Sequence, residues 1–400
     1  MGRQRLGFQS LTEETGPVEL PVCGRWPAWL DGALIRTGPA LFEVGPSRYR
    51  HWFDGLAMLY RFGFQDGRVH YTNRVLHSRG YRAARAQGRI VYDEFDTTAD
   101  TGLWRRFAAL LRGSSLSDSS DNANVNVIAR PDGVFALTET PTPMAIDART
   151  LATLGPRPFQ DDLRGQLTTA HPHTDLNRRV QVNYLLEFGR HSVIHLFEHP
   201  LEGGTRRPVA RMPVERPPYM HSFGLTDRYV ILMDSPLRVH PLGLRWSLRP
   251  FIDNYRWHEG ERMRFHLVDR ATGTVTTLEG EPCFAFHQAN AFDDGDGVVI
   301  DLCAYPNADI VTGLRLEQLR GPGTAGLALS RLRRYRLPKA GGEATCEEIS
   351  ETAVELPRIN ERRAAGRRYR SLWAAASRGP DSGFLDQLVR LDLEHGSRAA

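Results

Sequence analysis

Short runs of β-branched and aromatic residues, each closed by turn-forming residues, dominate this sequence. The clearest runs are RIVYDEF (89–95), GVFALTET (133–140), RVQVNYLLEF (179–188), SVIHLFEH (192–199), RYVILMDS (228–235) and GVVIDLCAY (297–305). The turns include QDG (65–67), PDG (131–133), ATGT (271–274) and DDGDG (293–297). Asp-Gly and glycine-rich dipeptides favour the positive φ angles of tight hairpins. The pattern therefore predicts an all-β fold: a sandwich, a barrel or a propeller.

Other architectures match poorly. Strands and helices do not alternate, and no G-x-G-x-x-G follows a strand, which argues against a dinucleotide-binding α/β fold. No exact repeat is present, but propeller blades share geometry more than sequence. A chain of 400 residues is long enough for one large β domain.

One segment, TGLWRRFAALLRG (101–113), predicts a helix. Its apolar face carries Leu103, Phe107, Leu110 and Leu111. Two interpretations remain open: a surface helix packed on the β core, or an interfacial helix that places Trp104 and the arginines at the headgroup level of a membrane. The following GSSLSDSSDNAN is typical of a mobile loop.

Charge and cysteine usage exclude some partners and compartments. The 51 basic and 47 acidic residues are interspersed, whereas a nucleic-acid binder would show a basic stripe. The four cysteines form no C-x-x-C pair, which argues against a thiolate metal site and indicates a reducing compartment. The N-terminus lacks the apolar stretch of a signal peptide, and no apolar run reaches transmembrane length. We therefore expect a cytoplasmic protein without a nucleic-acid partner.

Three of the fourteen histidines stand in similar contexts: TTAHPHTD (168–175), PYMHSFGLTD (218–227) and FAFHQANAF (284–292). Imidazole is the usual neutral nitrogen ligand of iron, zinc and copper. The three motifs therefore predict either buried core histidines or a metal site assembled from distant strands. His191 and His195 are four residues apart, but along a strand this spans about 13 Å, too far for one metal.

A series of motifs runs in order over nearly the whole chain. DGALIRTGPALFEVG (31–45), HWFDGLAML (51–59), DNANVNV (121–127) and ALTETPTP (136–143) precede the three histidine motifs, and ELPRIN (355–360) follows them. This ordered set resembles the carotenoid cleavage oxygenase family. The resemblance implies a seven-bladed β-propeller over residues 1–400, capped by loops and helices, with residues 101–120 forming a cap helix and mobile loop. It also implies an Fe(II) ion on the propeller axis, held by four histidines.

Motif positions in the family identify the expected metal site. The implied iron ligands are His171, His221 and His287, whereas His173 matches no ligand position and is expected to make at most a structural hydrogen bond. Glu139 would hold His221 and Glu355 would hold His287. Such outer partners fix the tautomer and orientation of a ligating imidazole.

The resemblance also indicates which apolar residues line the substrate path. Candidates for tunnel walls beside the iron are Phe95, Phe223, Phe284 and Phe286, with plain core packing as the alternative. In the family the cap dips into membranes to collect substrate. The candidates for such a peripheral membrane contact are Trp104, Phe107, Leu110 and Leu111.

The implied activity is that of a non-haem iron dioxygenase. It would cleave one conjugated C=C bond of a carotenoid or apocarotenoid with O₂ and give two carbonyl products. Its partners would be an apolar polyene and O₂, while the oligomeric state is not indicated. Two alternatives stay open: cleavage of a stilbene-type phenylpropanoid, and carotenoid binding without catalysis.

The sequence departs from the family pattern near its end. The family's fourth histidine stands in a Phe-His-Gly context, but the late histidine here, His395, stands in LVRLDLEHGSRAA and does not match. We therefore expect the propeller to lack its last strands, one iron ligand and one supporting acid. Three explanations are open: a truncated sequence, which we favour, a non-catalytic paralogue, or completion by another chain.

Overall fold

Strands are the main secondary structure of the protein, a computed structural model that describes residues 3–27, 29–100, 121–321, 327–379, 384–394 and 397–399. Five of the six strand-like runs form strands close to their predicted positions. The run at 89–95 does not, so this prediction was wrong. There the backbone makes single contacts, such as the hydrogen bond from Ile252 N to the Phe95 carbonyl (3.0 Å), in place of a ladder.

Six antiparallel sheets of four or five strands account for most of the strands in the described ranges. Sheet 1 contains Thr15–Leu20, Gly32–Leu41, Leu56–Gln65 and Arg68–Val75. Sheet 2 contains Asn126–Arg130, Gly133–Leu137, Met144–Ile146 and Thr153–Pro156. Sheet 3 contains Leu167–Thr168, His173–Asp175, Val180–Glu187, Ser192–Pro200 and Arg207–Val214.

The second half of the chain forms the other three sheets. Sheet 4 contains Gly224–Leu225, Tyr229–Asp234, Met263–Asp269 and Val275–Gly280. Sheet 5 contains Phe284–Asp294, Gly297–Tyr305, Arg331–Pro338 and Thr345–Ser350. Sheet 6 contains Ala353–Arg358, Ser371–Ser377, Gln387–Asp392 and Ser397–Ala399. Two short ladders lie outside these sheets, joining Glu43–Val44 to Ser47–Arg48 and Leu237–Arg238 to Arg256–Trp257.

Turn chemistry sets the strand register where the sequence predicted it. Asp66 and Gly67 join two strands of sheet 1 with φ angles of 50° and 75°. Positive φ at both central residues is the geometry whose twist matches paired strands. Gln65 consequently pairs with Arg68 directly across the turn.

Successive sheets pack face to face around a common centre, as the blades of a propeller do. Residues of neighbouring sheets share hydrophobic clusters: Leu59 and Met144 (sheets 1 and 2), Leu137 and Ala170 (2 and 3), Tyr184 and Phe223 (3 and 4), Ile231 and Ile300 (4 and 5), and Val299 and Leu372 (5 and 6). The strand Gly297–Tyr305 is buried along its whole length because its two faces contact different sheets.

The described residues form six blades, one fewer than the seven that the family resemblance implied. Each blade needs about four strands, and the strand patterns in the sequence indicate strands without fixing how many blades they build. The two end sheets each keep apolar side chains in solvent: Leu34 of sheet 1 is 51% exposed, and Trp373 and Leu388 of sheet 6 are 46% and 84% exposed.

Helices are few and short. The α-helices of the described residues are Arg79–Gln87, Pro241–Arg245, Asp309–Gly313, Leu316–Arg320 and Glu361–Ala364, and the 3₁₀ turns are Arg3–Phe8, Trp52–Asp54 and Ile252–Asn254. None of the described helices combines the length and apolar character needed to cross a bilayer. The predicted cap helix and loop at 101–120 lie outside the described residues.

The segment around Asp54 ties sheet 1 to the neighbouring loops. Its carboxylate accepts hydrogen bonds from His51 N (3.2 Å), Asp96 N (3.0 Å) and the Thr97 hydroxyl (2.5 Å). His51 Nε2 in turn bonds the carbonyl of Val311 (2.8 Å). Burial raises the pKa of Asp54 to about 7 and lowers that of His51 to about 4. These groups are fully buried, so they hold the segment rigidly in the core.

The raised pKa of Asp54 predicts a pH dependence of stability. The folded-state pKa of about 7 lies above the ordinary value of 3.8, so the fold prefers the protonated carboxyl. The contribution of Asp54 to stability is therefore full below pH 3.8 and is lost as the pH rises to about 7, with a slope of at most about 1.4 kcal/mol per pH unit. Urea unfolding of the wild type and of Asp54→Asn across this range measures it. Identical pH profiles in the two proteins would contradict the prediction.

Candidate metal centre

Three histidines converge from three neighbouring blades. His171 follows the first strand of sheet 3, Leu167–Thr168, and His221 precedes the first strand of sheet 4, Gly224–Leu225. His287 lies within the first strand of sheet 5, where the pairing with Gly297–Tyr305 slips between Ala285 and Gln288. Such an irregularity bends the strand and re-aims its side chains. The sequence thus brings together residues that are 50 and 66 positions apart.

The three imidazoles are arranged as ligands of one ion would be. Their nearest nitrogen atoms all lie within 4.8 Å of one another. Nε2 of His171 is 3.0 Å from Nε2 of His221. Two ligand atoms at about 2.1 Å from one ion and at right angles are separated by about 3.0 Å, so this pair has the spacing of adjacent ligands. The rings pack edge to face, with centroids 4.7–5.3 Å apart.

The environment of His171 keeps its imidazole neutral. Burial lowers the pKa of His171 well below its usual range, and His221 and His287 lower it further. His171 is consequently neutral and available as a nitrogen donor. A set of neutral imidazoles without a carboxylate matches the ligand preferences of iron, zinc and copper better than those of magnesium or calcium.

Two glutamates hold two of the imidazoles from the side away from the shared centre. Nδ1 of His221 donates to Oε1 of Glu139 (2.7 Å), and Nδ1 of His287 donates to Oε2 of Glu355 (2.7 Å). Glu139 follows the strand Gly133–Leu137 of sheet 2, and Glu355 lies in sheet 6. With Nδ1 carrying the proton, Nε2 presents its lone pair toward the common centre. The geometry therefore brings together all five residues that the resemblance implied.

Hydroxyl groups fix the backbone of the ligand loops, and the sequence analysis did not identify them. The Thr169 hydroxyl donates to the His221 carbonyl and accepts from His171 N. The Ser222 hydroxyl donates to the Phe286 carbonyl (2.7 Å). The Thr169–His221 and Ser222–Phe286 bonds each join two blades next to a ligand, so they link the ligand segments of sheets 3, 4 and 5. Only their position directly beside the histidine motifs could have indicated this role.

His173 lies outside the ligand group. Its Nε2 donates to the carbonyl of Phe223 (2.8 Å), and its ring contacts the Phe223 ring edge to face at 4.7 Å. Burial lowers its pKa. His195, whose spacing to His191 resembles a helical metal-binding pair, lies on the strand Ser192–Pro200. Its Nε2 lies 2.9 Å from the carboxylate of Glu187.

Aromatic side chains surround the imidazoles, but not in the set that the sequence indicated. Phe286 contacts the His221 ring edge to face at 5.5 Å, and Phe284 packs against Phe286 at 4.8 Å. Phe95 lies one ring further out, against Tyr219 at 5.6 Å.

Phe223 takes the core-packing alternative, and Phe53, which the sequence analysis did not identify, lies beside the imidazoles. Phe223 is fully buried, and its ring contacts are with His173 and Tyr184, so it packs in the core instead of facing the imidazoles. Phe53 was not predicted, yet it stacks on the His221 ring at 6.4 Å and contacts Phe95 and Phe286. Its place within HWFDG was the available signal. The predicted membrane-contact residues Trp104, Phe107, Leu110 and Leu111 lie outside the described residues.

The protein is thus a β-propeller that brings three imidazoles together, two of them oriented by carboxylates, in the arrangement of a metal site. Residues 7–400 match the protein family described as "Retinal pigment epithelial membrane protein". The chain therefore belongs to this family, the carotenoid cleavage oxygenases.

Individual relatives agree with this assignment. The chain is 32% identical to a carotenoid isomerooxygenase of Galleria mellonella, over 96% of this chain and 79% of that protein. It is 30% identical to a mitochondrial carotenoid-cleaving dioxygenase of Mustela putorius furo, over 95% of this chain and 80% of that protein. A solved variant of Synechocystis apocarotenoid oxygenase superposes with a TM-score of 0.85 at 24% identity, covering 98% of this chain and 82% of that one, and shares the fold.

If a metal ion binds at this centre, substitutions of His171 and of His173 should differ in their effect on stabilisation by metal. Co²⁺ at 100 times its dissociation constant stabilises a protein that binds it only when folded by about 2.7 kcal/mol. We expect wild type and His173→Ala to gain this amount in thermal unfolding and His171→Ala to gain much less. The control is the same titration with Mg²⁺, which prefers oxygen ligands. An equal gain for both variants would contradict the assignment of His171.

Proposed function

We propose that this protein is an oxygenase that cleaves a conjugated C=C bond of a carotenoid or apocarotenoid with O₂ to give two carbonyl products. The observation that carries the proposal is the group of three imidazoles oriented by Glu139 and Glu355 at the centre of the propeller. Relatives that match nearly the whole chain are carotenoid-cleaving and carotenoid-isomerising oxygenases.

The proposed cofactor is Fe(II), with His171, His221 and His287 as its protein ligands. The three neutral nitrogen donors and their spacing support this choice. When bound, iron(II) supplies the redox chemistry with O₂, while the protein supplies placement and a dry site. Glu139 and Glu355 keep the imidazoles in the tautomer that directs Nε2 to the ion.

The aromatic residues would hold the polyene beside the imidazoles. Phe53, Phe95 and Phe286 form a connected group with centroid distances of 5.5 and 5.6 Å, and two of them contact the His221 ring. Flat conjugated chains pack well against aromatic rings, and such rings exclude water. The group therefore suits an extended apolar substrate better than a polar one.

Turnover separates the proposed activity from its alternatives. We expect the Fe(II)-loaded protein to bleach an apocarotenal in an O₂-dependent reaction and to release aldehydes detectable by mass spectrometry. His221→Ala should lose turnover, since it removes a ligand and its carboxylate bond, whereas His173→Ala should retain it. Binding without bleaching would replace the proposal by a carotenoid-binding function. Preferred cleavage of a phenolic stilbene would replace it by the stilbene-type activity.

We further propose that the functional propeller is a single domain with seven blades, the seventh lying between sheets 6 and 1. The exposed Leu34, Trp373 and Leu388 support this, because a further sheet would cover these apolar side chains. Such a sheet would also bring the fourth imidazole of the family pattern. An experimental structure of the metal-loaded protein decides the matter, and six blades around a fully ligated ion would refute it.

We also propose a cytoplasmic protein that binds the surface of a membrane. The four cysteines are free thiols, in keeping with a reducing compartment. In and just after the helix Pro241–Arg245, Leu242, Trp246 and Leu248 are 49%, 59% and 40% exposed. Arg245 lies between Leu242 and Trp246, and Arg249 follows Leu248, a combination suited to anionic headgroups with an apolar layer beneath.

The exposed group at 242–249 is close in the chain to the aromatic residues of the site. Phe251 contacts Phe95 at 6.3 Å, and Ile252 N donates to the Phe95 carbonyl (3.0 Å). Phe95 in turn contacts Phe53, which stacks on His221. An apolar substrate taken from a bilayer at this surface would therefore meet a continuous series of aromatic rings leading to the imidazoles.

Vesicle flotation tests the membrane proposal. We expect the double variant Leu242→Ser, Trp246→Ser to bind phosphatidylserine-containing vesicles at least about 10-fold more weakly, because a fully buried leucine alone contributes about 1.5–3 kcal/mol. Trp29→Ser is the matched control, since Trp29 is 80% exposed in the loop between the strands Thr15–Leu20 and Gly32–Leu41 of sheet 1. Equal binding by the double variant and the control would exclude this surface.

A further inference from the structure

The carboxylate that orients His221 has a second hydrogen-bond donor. The Tyr219 hydroxyl lies 3.1 Å from Oε1 and 3.2 Å from Oε2 of Glu139. The nearly equal distances place the hydroxyl in front of the carboxylate as a whole, so it restrains rotation of that group. His221 Nδ1 bonds only Oε1. The hydroxyl of Tyr219 and the imidazole of His221 therefore fix one carboxylate together.

The packing of Tyr219 leaves its hydroxyl little freedom to move. The residue is 4% exposed. Its ring stacks on Phe284 at 6.2 Å and contacts Phe95 at 5.6 Å and Tyr255 at 5.9 Å. These ring contacts hold the hydroxyl in front of the Glu139 carboxylate.

Glu139 is also fixed through its backbone. Thr168 N donates to the Glu139 carbonyl (2.9 Å), which joins sheet 2 to the strand that precedes His171. The side chain of Glu139 is 17% exposed, so water reaches part of it and competes for the carboxylate. A fixed backbone leaves the side-chain torsions as the remaining freedom, and Tyr219 is placed to restrict them.

We propose that Tyr219 is a positioning residue that acts on the metal ligand His221 through Glu139. The inference rests on the proposed metal-dependent function and assigns a role to a residue that contacts neither the imidazole group nor the ion position. A restrained carboxylate holds the imidazole ring at one angle, and ring angle sets how well Nε2 overlaps with a bound ion. The series Tyr219–Glu139–His221 thus extends the ligand support by one residue beyond the carboxylate.

The first test replaces only the hydroxyl. Tyr219→Phe keeps the ring contacts and is expected to raise the dissociation constant for Co²⁺ by about 10-fold, the lower end of the range for losing an outer partner of a metal ligand. It should also shift the visible absorption bands of bound Co²⁺, which report ligand geometry without turnover. In the Fe(II)-loaded enzyme we expect kcat to fall while KM is unchanged.

Tyr255 supplies a matched control. It is 3% exposed, contacts the Tyr219 ring, and its hydroxyl has no hydrogen-bond partner within the described residues. Tyr255→Phe therefore removes the same atom from the same neighbourhood without removing a bond, and should leave the Co²⁺ dissociation constant and spectrum unchanged. Equal effects of the two substitutions, or no effect of Tyr219→Phe, would overturn the proposal.

A double-mutant cycle tests whether the effect passes through the carboxylate. In a Glu139→Ala background, Tyr219→Phe should cause no further loss of Co²⁺ affinity, because effects that share a pathway are not additive. An undiminished loss in that background would overturn the proposal.

Further variants and the wild-type result keep the inference and the proposed function distinguishable. If Tyr219→Phe does not fold, Tyr219→Gln and Tyr219→Leu replace it, because the two side chains are similar in size but only Gln has an N–H donor. Equal Co²⁺ affinities in this pair would count against the proposal. Failure of the wild type to bind Co²⁺ would overturn both this inference and the proposed function. Normal binding by wild type and Tyr219→Phe alike would overturn the inference alone.

Discussion

The structure depends on two hydrogen bonds, from Nδ1 of His221 to Glu139 and from Nδ1 of His287 to Glu355, each 2.7 Å long. Each bond joins blades that are not contributed by the same stretch of chain, so the ligand geometry is a property of how five sheets stack. Imidazoles gathered at a shared centre without such partners would be free to exchange tautomers and turn away. The carboxylates prevent tautomer exchange and ring rotation, and the hydroxyl of Thr169 restrains the backbone next to His171 and His221.

The family resemblance made the centre of the site predictable, whereas its walls were not. The histidine motifs alone left buried core histidines as an alternative, and the motif positions in the family singled out His171, His221 and His287. A phenylalanine, by contrast, serves equally well in a core or a wall. Which role it takes depends on the side of the strand from which it projects, and this is why core packing stayed open for Phe223 and Phe53 was not identified.

The all-β class of the fold was predictable from the sequence, but the number of blades was not. Periodicity and turn dipeptides identify strands because both report local geometry. Five of the six strand-like runs form strands. Blade count depends on how sheets close around an axis, which is a non-local property. The run at 89–95 shows the same limit: its residues favour a strand, yet none of the described strands pairs with it, and Phe95 contacts the aromatic residues of the site.

The separation of the paired residues along the chain has a consequence for folding. Glu139 precedes His221 by 82 residues, and Glu355 follows His287 by 68. During synthesis at about 5–20 residues per second, the 68 residues from His287 to Glu355 take roughly 3–14 seconds to emerge. Throughout that interval the imidazole of His287 lacks its carboxylate, whereas Glu139 is already present when His221 emerges. A metal ion that binds after Glu355 arrives would act as a late cross-link, closing loops whose entropic cost the nascent chain has already met.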